Sequence, residues 1–182
     1  MAALPQVIPA GPVELRRWRV AHLDLVLTAI SLSLPELQRW LPWARAMPTD
    51  EEELAVLEAG EADFDADREW AYLLFENGSD EMVGGAGVHP RGDPGTVEIG
   101  YWVRSDRTGR GYATAAAYVL TEATFTHLAG VDRVEIHMDA ANRASAAIPP
   151  KLGYAMVEPL HPTRGMPGQS GGGLVWVRRR PL

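Results

Sequence analysis

The sequence of 182 residues contains no cysteine. This absence excludes a disulfide framework, a thiolate zinc site, an iron–sulfur cluster and a cysteine nucleophile. The sequence also has no run near the roughly 18 uninterrupted apolar residues that a membrane-spanning helix needs. Residues 1–12 lack the basic start and the apolar core of a secretory signal. We therefore expect a protein of the cytoplasm without a membrane partner.

The sequence also has fewer basic than acidic residues. It contains 17 Lys and Arg and 24 Asp and Glu, which gives a formal net charge of −7. This balance argues against a general nucleic-acid partner. The negative charge is concentrated in residues 50–69, which hold ten acidic residues and a single basic one, Arg68. Two interpretations stay open: a solvated helix face, or a field that attracts a cationic substrate.

What the sequence does contain is the composition of an ordinary globular domain, with 46% hydrophobic and 23% charged residues. Both values lie close to the averages for folded soluble domains. The length suits one domain with a sizeable core. Because no repeat or linker divides the chain, we expect residues 1–182 to form a single domain, as a monomer or a homodimer.

Hydrophobic periodicity predicts a mixed α+β protein. Apolar residues at spacings of three and four predict helices over 23–34 and 112–128. Thr49 to Glu52 has the form of a capping box, which would begin the acidic helix. Three β-rich runs separated by turn signals predict an antiparallel meander over 70–103. Further strands are predicted at 13–20, 131–138, 154–157 and 174–178, short helices at 34–48 and 142–152, and a long Gly- and Pro-rich loop between the last two strands.

The strongest functional motif is a glycine loop between a strand and a helix, residues 104–114. Gly109 and Gly111 would let a backbone approach a phosphate closely, and free amides at the start of a helix attract anions. Three arginines add positive charge. An ordinary strand–helix turn is the alternative, but the coincidence of glycines, charge and helix start favours a phosphate site. The third glycine of the dinucleotide fingerprint and the Walker lysine are both absent.

Residues 107–114, Arg-Thr-Gly-Arg-Gly-Tyr-Ala-Thr, resemble the pyrophosphate loop of the GNAT superfamily of acyl-CoA-dependent N-acetyltransferases. The later pattern over 142–154, which begins Asn-x-x-Ser and ends Lys-Leu-Gly-Tyr, is similar to the second motif of that family. The strand at 98–102 and the segment 34–43 are similar to the branch of ribosomal-protein N-acetyltransferases. The resemblance implies a GNAT-like α+β fold, whose central, mostly antiparallel mixed sheet is splayed open for acyl-CoA and flanked by helices.

The resemblance further implies transfer of an acetyl group from acetyl-CoA to a primary amine, such as a ribosomal or other protein N-terminus or a small cationic amine. It implies that the backbone at 102–104 pairs with pantetheine, that amides at 109–113 bind the pyrophosphate, and that Asn142 contacts pantetheine. The implied CoA-binding residues are Trp102, Val103, Arg104, Thr108, Gly109, Arg110, Gly111, Tyr112, Ala113, Thr114, Asn142 and Ser145.

The sequence departs from the family pattern at two positions. Thr108 stands where Gln or Arg is usual, with Arg107 displaced by one, so side-chain help for the pyrophosphate is reduced. Pro149 stands where many relatives carry a tyrosine general acid, and Ser145 is then the implied proton donor. An ammonium must lose a proton before it can attack. We select Glu98 as the base because it lies on the strand beside the donor; a polar strand-edge residue is the alternative.

Other constellations are weaker. Glu135, His137 and Asp139 share one face of a predicted strand, but same-face neighbours lie too far apart for all three to close on one ion, so no metal is expected. Gly168–Gly172 matches the hydrolase elbow pattern, yet no helix follows the serine, so a loop is expected. Two functional alternatives stay open: transfer of a larger acyl group such as succinyl, and a non-catalytic module that binds CoA or a partner.

Overall fold

The computed structural model describes residues 3–157 and 165–181 of the chain. The helices are α1 (Leu23–Trp40), α2 (Asp50–Asp65), α3 (Tyr112–His127) and α4 (Arg143–Ala146), with 3-10 turns at Val20–His22, Pro42–Ala44, Ser105–Arg107 and Pro149–Leu152. The strands are β1 (Val7–Ala10), β2 (Val13–Arg17), β3 (Trp70–Glu76), β4 (Met82–Pro90), β5 (Thr96–Val103), β6 (Arg133–Asp139), β7 (Ala155–Val157) and β8 (Gly173–Arg179).

The described strands form one sheet in the order β1-β2-β3-β4-β5-β6-β8-β7. The predicted meander is confirmed in β3, β4 and β5, and among the described strands only β5 and β6 pair in parallel. That parallel pairing covers only Thr96–Glu98 and Arg133–Glu135. Beyond it β5 stays paired with β4, and β6 stays paired with β8. The sheet therefore opens between β5 and β6, as the resemblance implies.

The two faces of the sheet are covered by different helices. On one face α3 packs through Leu120 and neighbouring alanines against a large buried cluster. On the other face α1 and α2 pack through Ile30 and Leu57 against a smaller one. Successive side chains of a strand point to opposite faces. Accordingly Tyr101 packs on the α3 side, whereas Trp102 packs on the side of α1 and α2.

Helix α1 is longer than the sequence predicts. It continues through Pro35 to Trp40 instead of giving way to a separate short helix. A proline inside a helix removes one hydrogen bond, but Ser33 and Leu37 are buried on either side of it, and this packing holds the helix together. Within the described residues, Val20–Trp40 is also long and apolar enough to cross a membrane, by length and hydropathy alone. Part of its apolar surface is already buried in the cluster shared with α2.

Three other local features test the predicted elements. Strand β1 is not predicted, because its four residues are too few to show a clear alternation; it pairs antiparallel with β2. The helix predicted over 142–152 is instead α4 followed by a 3-10 turn that begins with two prolines, which lack the amide that a helix requires. Residues 158–164 of the predicted Gly- and Pro-rich loop lie outside the described part.

The capping box at the start of α2 is confirmed. The amide of Glu52 donates to Thr49 Oγ1 at 3.2 Å, and the amide of Thr49 donates to the Glu52 carboxylate at 2.8 Å. These two bonds satisfy donors that a helix start would otherwise leave without partners. The acidic segment is thereby fixed as a helix directly after the loop that follows α1.

Candidate active site

The opening between β5 and β6 presents backbone groups of β5. The amide of Arg104 donates a hydrogen bond to the carbonyl of Val83 on β4 at 2.8 Å. By the register of β4 with β5, the backbone groups of Trp102 are directed to β4 as well. Alternate residues of a strand direct their N–H and C=O groups to opposite sides. The backbone groups of Tyr101 and Val103 therefore face the opening. Within the segment 102–104 that the sequence predicts to pair with pantetheine, Val103 is therefore the residue whose backbone faces the opening.

The glycine loop follows β5 directly and ends at α3. Gly109 and Gly111 have φ angles of +77° and +80°, in the left-handed region that favours glycine. A Cβ at either position would meet no atom within 4 Å. Gly111 is the N-cap of α3 and supplies no side-chain cap. The first amides of a helix have no intrahelical acceptors, so those of Tyr112 to Thr114, with the helix dipole, suit an anion.

The arginines around this loop are engaged by carboxylates. The ion pairs are Arg104 with Asp106 at 2.8 Å, Arg107 with Glu81 at 2.6 Å, and Arg110 with Glu76 at 3.2 Å. The hydrogen bond from Arg104 lowers the pKa of Asp106 below its ordinary value. The Thr108 hydroxyl donates to the carbonyl of Ser105 at 3.2 Å. The positive charge of the loop is thus locally compensated, and the groups of the loop best suited to an anion are its backbone amides.

Ser145 lies in α4 and contacts a tyrosine that the sequence analysis did not select. Asn142 is the N-cap of this helix, and its Oδ1 accepts a hydrogen bond from the amide of Ser145 at 3.2 Å. The Ser145 hydroxyl lies 3.2 Å from the hydroxyl of Tyr101, so a contact joins β5 to α4. Burial raises the pKa of Tyr101 to about 12, which keeps the phenol protonated at neutral pH. Pro149 is buried and has no proton to donate.

Glu98 lies on the other face of the sheet, toward α1 and α2. Its Oε2 is 2.6 Å from Nη2 of Arg91 and 3.3 Å from Nδ1 of His137. His137 in turn places Nε2 at 2.6 Å from Oε2 of Glu135. Glu98 and Ser145 therefore face opposite sides of the sheet, with the open segment of β5 between them. This arrangement would suit a base that acts on the attacking amine from one face and an acid that acts on the leaving thiolate from the other.

The remaining predicted constellation does not form a metal site. Within residues 3–157 and 165–181, no group of three His, Asp or Glu side chains could hold an ion. Glu135 and His137 are bonded to each other, whereas the Asp139 carboxylate accepts the amide and the hydroxyl of Ser170 at 2.9 and 2.8 Å. Ser170 lies in a loop before β8, as predicted for Gly168–Gly172.

Two tryptophans lie on the α1–α2 side of the opening. The rings of Trp43 and Trp102 have centroids 6.0 Å apart. Gly85 makes room for this arrangement, because a Cβ there would lie 2.7 Å from Nε1 of Trp102. Trp43 keeps 52% of its surface exposed, which is a large apolar area for a surface residue. The pair offers an apolar wall to a ligand that approaches Glu98 from this side.

The acidic helix has two halves with different partners. Toward its C-terminus Glu61 pairs with Arg19 and Asp65 pairs with Arg17, both within 3 Å. Near its N-terminus Glu53 is buried, and desolvation raises the pKa of its carboxyl. Asp50, Glu51 and Glu58 are exposed. Among the described residues, the exposed acids of α2 that form no ion pair lie between Asp50 and Glu58, and this part of the helix supplies most of its negative field in solvent.

Comparison with known families assigns this fold to a class. Residues 13–155 match the acetyltransferase (GNAT) domain. The chain belongs to this family of acetyltransferases, which confirms the resemblance seen in the glycine loop. The comparison with curated proteins found no match.

Solved structures with the same fold include RimL, RimJ and a self-immunity acetyltransferase. RimL, the ribosomal L7/L12 α-N-protein acetyltransferase in complex with coenzyme A, superposes with a TM-score of 0.85 at 19% identity, over 95% of this chain and 97% of its own. Mycobacterium smegmatis RimJ in complex with CoA-disulfide gives a TM-score of 0.80 at 23% identity, over 96% and 84%. The microcin C7 self-immunity acetyltransferase MccE, in complex with acetyl-CoA and AMP, gives 0.83 at 14%, over 96% and 98%.

Proposed function

We propose that this chain transfers an acetyl group from acetyl-CoA to a primary amine by direct attack in a ternary complex. The observation that carries the proposal is the opening between β5 and β6, which directs the backbone of Val103 inward and leads straight into the glycine loop. An extended pantetheine arm can pair with β5 as an added strand would. The pyrophosphate would then lie at the amides of residues 109–113. Because the chain has no cysteine, a thioester on the enzyme is excluded.

The chemistry divides between the two faces of the sheet. On the α1–α2 face, Glu98 takes one proton from the acceptor ammonium, which frees the nitrogen lone pair for attack on the thioester carbonyl. A backbone amide of β5 that faces the opening polarises that carbonyl. On the α3 face, Ser145 gives a proton to the departing thiolate. The phenol of Tyr101, at 3.2 Å from Ser145, donates to or replenishes this hydroxyl.

For the acceptor we propose a cationic amine, either the N-terminus of a ribosomal or other protein or a small polyamine-like molecule. One protein of the same fold, RimL, is by its name an acetyltransferase of the ribosomal protein L7/L12. In this chain the exposed acids of α2 and the half-exposed Trp43 lie on the side from which the acceptor would reach Glu98. We further propose that residues 1–182 act as one domain in the cytoplasm, where acetyl-CoA is available.

The activity is tested by incubating the protein with acetyl-CoA or succinyl-CoA and a panel of amines, with free thiol release as the signal. The panel contains peptides with basic and acidic N-terminal segments, spermidine and an aminoacyl conjugate. Saturable thiol release that requires both acetyl-CoA and a cationic amine supports the proposal. Preference for succinyl-CoA would favour a larger acyl group. Tight CoA binding without turnover of any amine would identify a binding module instead.

A further prediction concerns the acidic half of α2. Replacing Glu51 and Glu58 with glutamine is expected to raise KM for a cationic amine about two- to fivefold and to leave kcat unchanged, because a surface field changes encounter rather than transition-state contacts. Glu52 and Glu53 are left intact, since one completes the capping box and the other is buried.

Steady-state kinetics between low and moderate salt measures this effect, which added salt should suppress. The matched control is Asp93→Asn, which removes an exposed charge from the β4–β5 turn, at the end of β5 away from the opening. Equal KM values in the parent and the doubly substituted protein, with no salt dependence in the parent, would contradict steering by α2.

A further inference from the structure

One histidine joins two carboxylates at the point where β5 and β6 separate. Glu98 and Glu135 are partners in the last step of the parallel register. His137 lies two residues further along β6, on the same face. Its imidazole reaches back to both carboxylates, with Nδ1 at 3.3 Å from Glu98 and Nε2 at 2.6 Å from Glu135. The ring therefore bridges the two strands just before the sheet opens.

The charged groups around this bridge form a continuous array. Arg91 also contacts Oε2 of Glu98, at 2.6 Å, and Arg133 contacts Glu135 at 2.5 Å. Each carboxylate thus has one arginine and shares one imidazole. Beyond them on this face, β8 contributes Val175 and Val177 opposite His137 and Glu135, and on β4 His89, the register partner of Glu98, is bonded to Glu69 at 2.8 Å.

A general base such as Glu98 must lose the proton that it has accepted before the next turnover can begin. If Glu98 deprotonates the acceptor ammonium, the carboxyl is left protonated between Arg91 and the imidazole. Histidine is the side chain that exchanges protons most readily near neutral pH. The imidazole of His137 already contacts Oε2 of Glu98, and 36% of the side chain is exposed. It therefore offers a path from the base to solvent.

We infer that His137 is a proton relay and positioning residue for Glu98, an inference that rests on the proposed amine acetylation. In the first step Glu98 takes a proton from the ammonium and becomes a neutral carboxylic acid. In the second, that proton passes to Nδ1 of neutral His137, which restores the carboxylate and leaves an imidazolium stabilised by Glu135. In the third, Nδ1 releases that proton to water, which restores neutral His137 with its Nε2–H directed to Glu135. The net result is one proton moved from the acceptor nitrogen to solvent.

The relay predicts a loss of turnover that does not come from a loss of donor binding. His137→Gln keeps a side chain that can hydrogen-bond to Glu98 but cannot carry the proton. We expect kcat to fall about 10- to 100-fold, at the lower end of the range for acid–base groups. The affinity for CoA, measured by calorimetry, should stay within about twofold, because the donor contacts proposed on β5 and α3 are not altered. The control is His127→Gln, at the end of α3 on the other face, with kcat unchanged.

Chemical rescue separates a relay from a structural role. In His137→Ala the exposed position should admit free imidazole, and added imidazole should restore turnover, with a pH profile that follows the pKa of the imidazole used. In a Glu98→Gln background, His137→Gln should cost nothing further, because the two residues act in sequence. The temperature midpoint of unfolding identifies any variant that fails to fold.

The outcomes distinguish this inference from the function on which it rests. Absence of thiol release by the parent protein with every amine would remove the proposed function itself. An active parent, with His137→Gln at full activity and an unchanged pH profile, would overturn the relay alone. Folded His137→Ala that imidazole does not restore at any pH would likewise overturn it. Rescue together with non-additivity at Glu98 is the expected result.

Discussion

Replacing Gly111 with glutamate is expected to abolish CoA binding, with an affinity loss of at least about 100-fold. The position has a φ angle of +80°, where a side chain strains the backbone, and it caps the first turn of α3. A Cβ there would project into open space beside the amides proposed to bind pyrophosphate. The carboxylate would add like-charge repulsion to the strain. Calorimetric titration of CoA into the variant measures the effect.

The matched control is Gly11→Glu in the β1–β2 turn. Gly11 also has a positive φ angle, at +63°, and a Cβ there would likewise meet no atom within 4 Å. The control should carry a comparable backbone penalty, about 1–2 kcal/mol for a non-glycine residue in this region, while retaining CoA affinity. Undiminished CoA binding by Gly111→Glu would show that the phosphates lie elsewhere.

Removing the Ser145 hydroxyl on the donor side should give the largest loss of turnover. Ser145→Ala is expected to lower kcat by roughly 10²–10⁴-fold, the range for a group that moves a proton in the transition state, with little change in CoA affinity. The reason is that the alanine variant leaves the departing thiolate without its adjacent donor. Single-turnover thiol release and calorimetry together separate the chemical step from binding.

Tyr101→Phe is the companion substitution. It keeps the ring on the α3 side of β5 and removes only the hydroxyl that lies 3.2 Å from Ser145. If the two hydroxyls act as one unit, the double variant will be no slower than Ser145→Ala alone. If each donates independently, the two losses will multiply. A decrease below about fivefold in Ser145→Ala would mean that solvent protonates the thiolate, since a positioned acid contributes more than that.

The sequence by itself determined the class of fold and the position of the glycine loop before α3. The meander over β3 to β5 and the start of α3 depend on local signals: alternating apolar residues, turn residues between them, and glycines before a helix. The capping box of α2 is equally local, because Thr49 and Glu52 are three residues apart and their bonds are made within one turn. Such features depend mainly on neighbouring residues and can therefore be predicted from them.

Features that depend on compensation between distant residues were not predictable in this way. Pro35 argued for a break, yet buried neighbours carry α1 past it to Trp40. The arginines of the glycine loop suggested a positive patch, but Glu76 and Glu81 from the β3–β4 turn region pair with Arg110 and Arg107. Charge counts along the chain contain no information about such partners.

The tertiary structure, through the opening of the sheet, determined which of the predicted residues lie together and on which face. Sequence placed Glu98 on β5 and Ser145 after Asn142, but not on which face either would lie. Only the register, with parallel pairing ending at Glu98 and Glu135, separates the strands and brings Tyr101 to Ser145 on one face and His137 to Glu98 on the other. Strand pairing joins residues far apart in the chain, and a shift of one residue would exchange the two faces. That long-range register is the physical reason why these partners appear only in the folded protein.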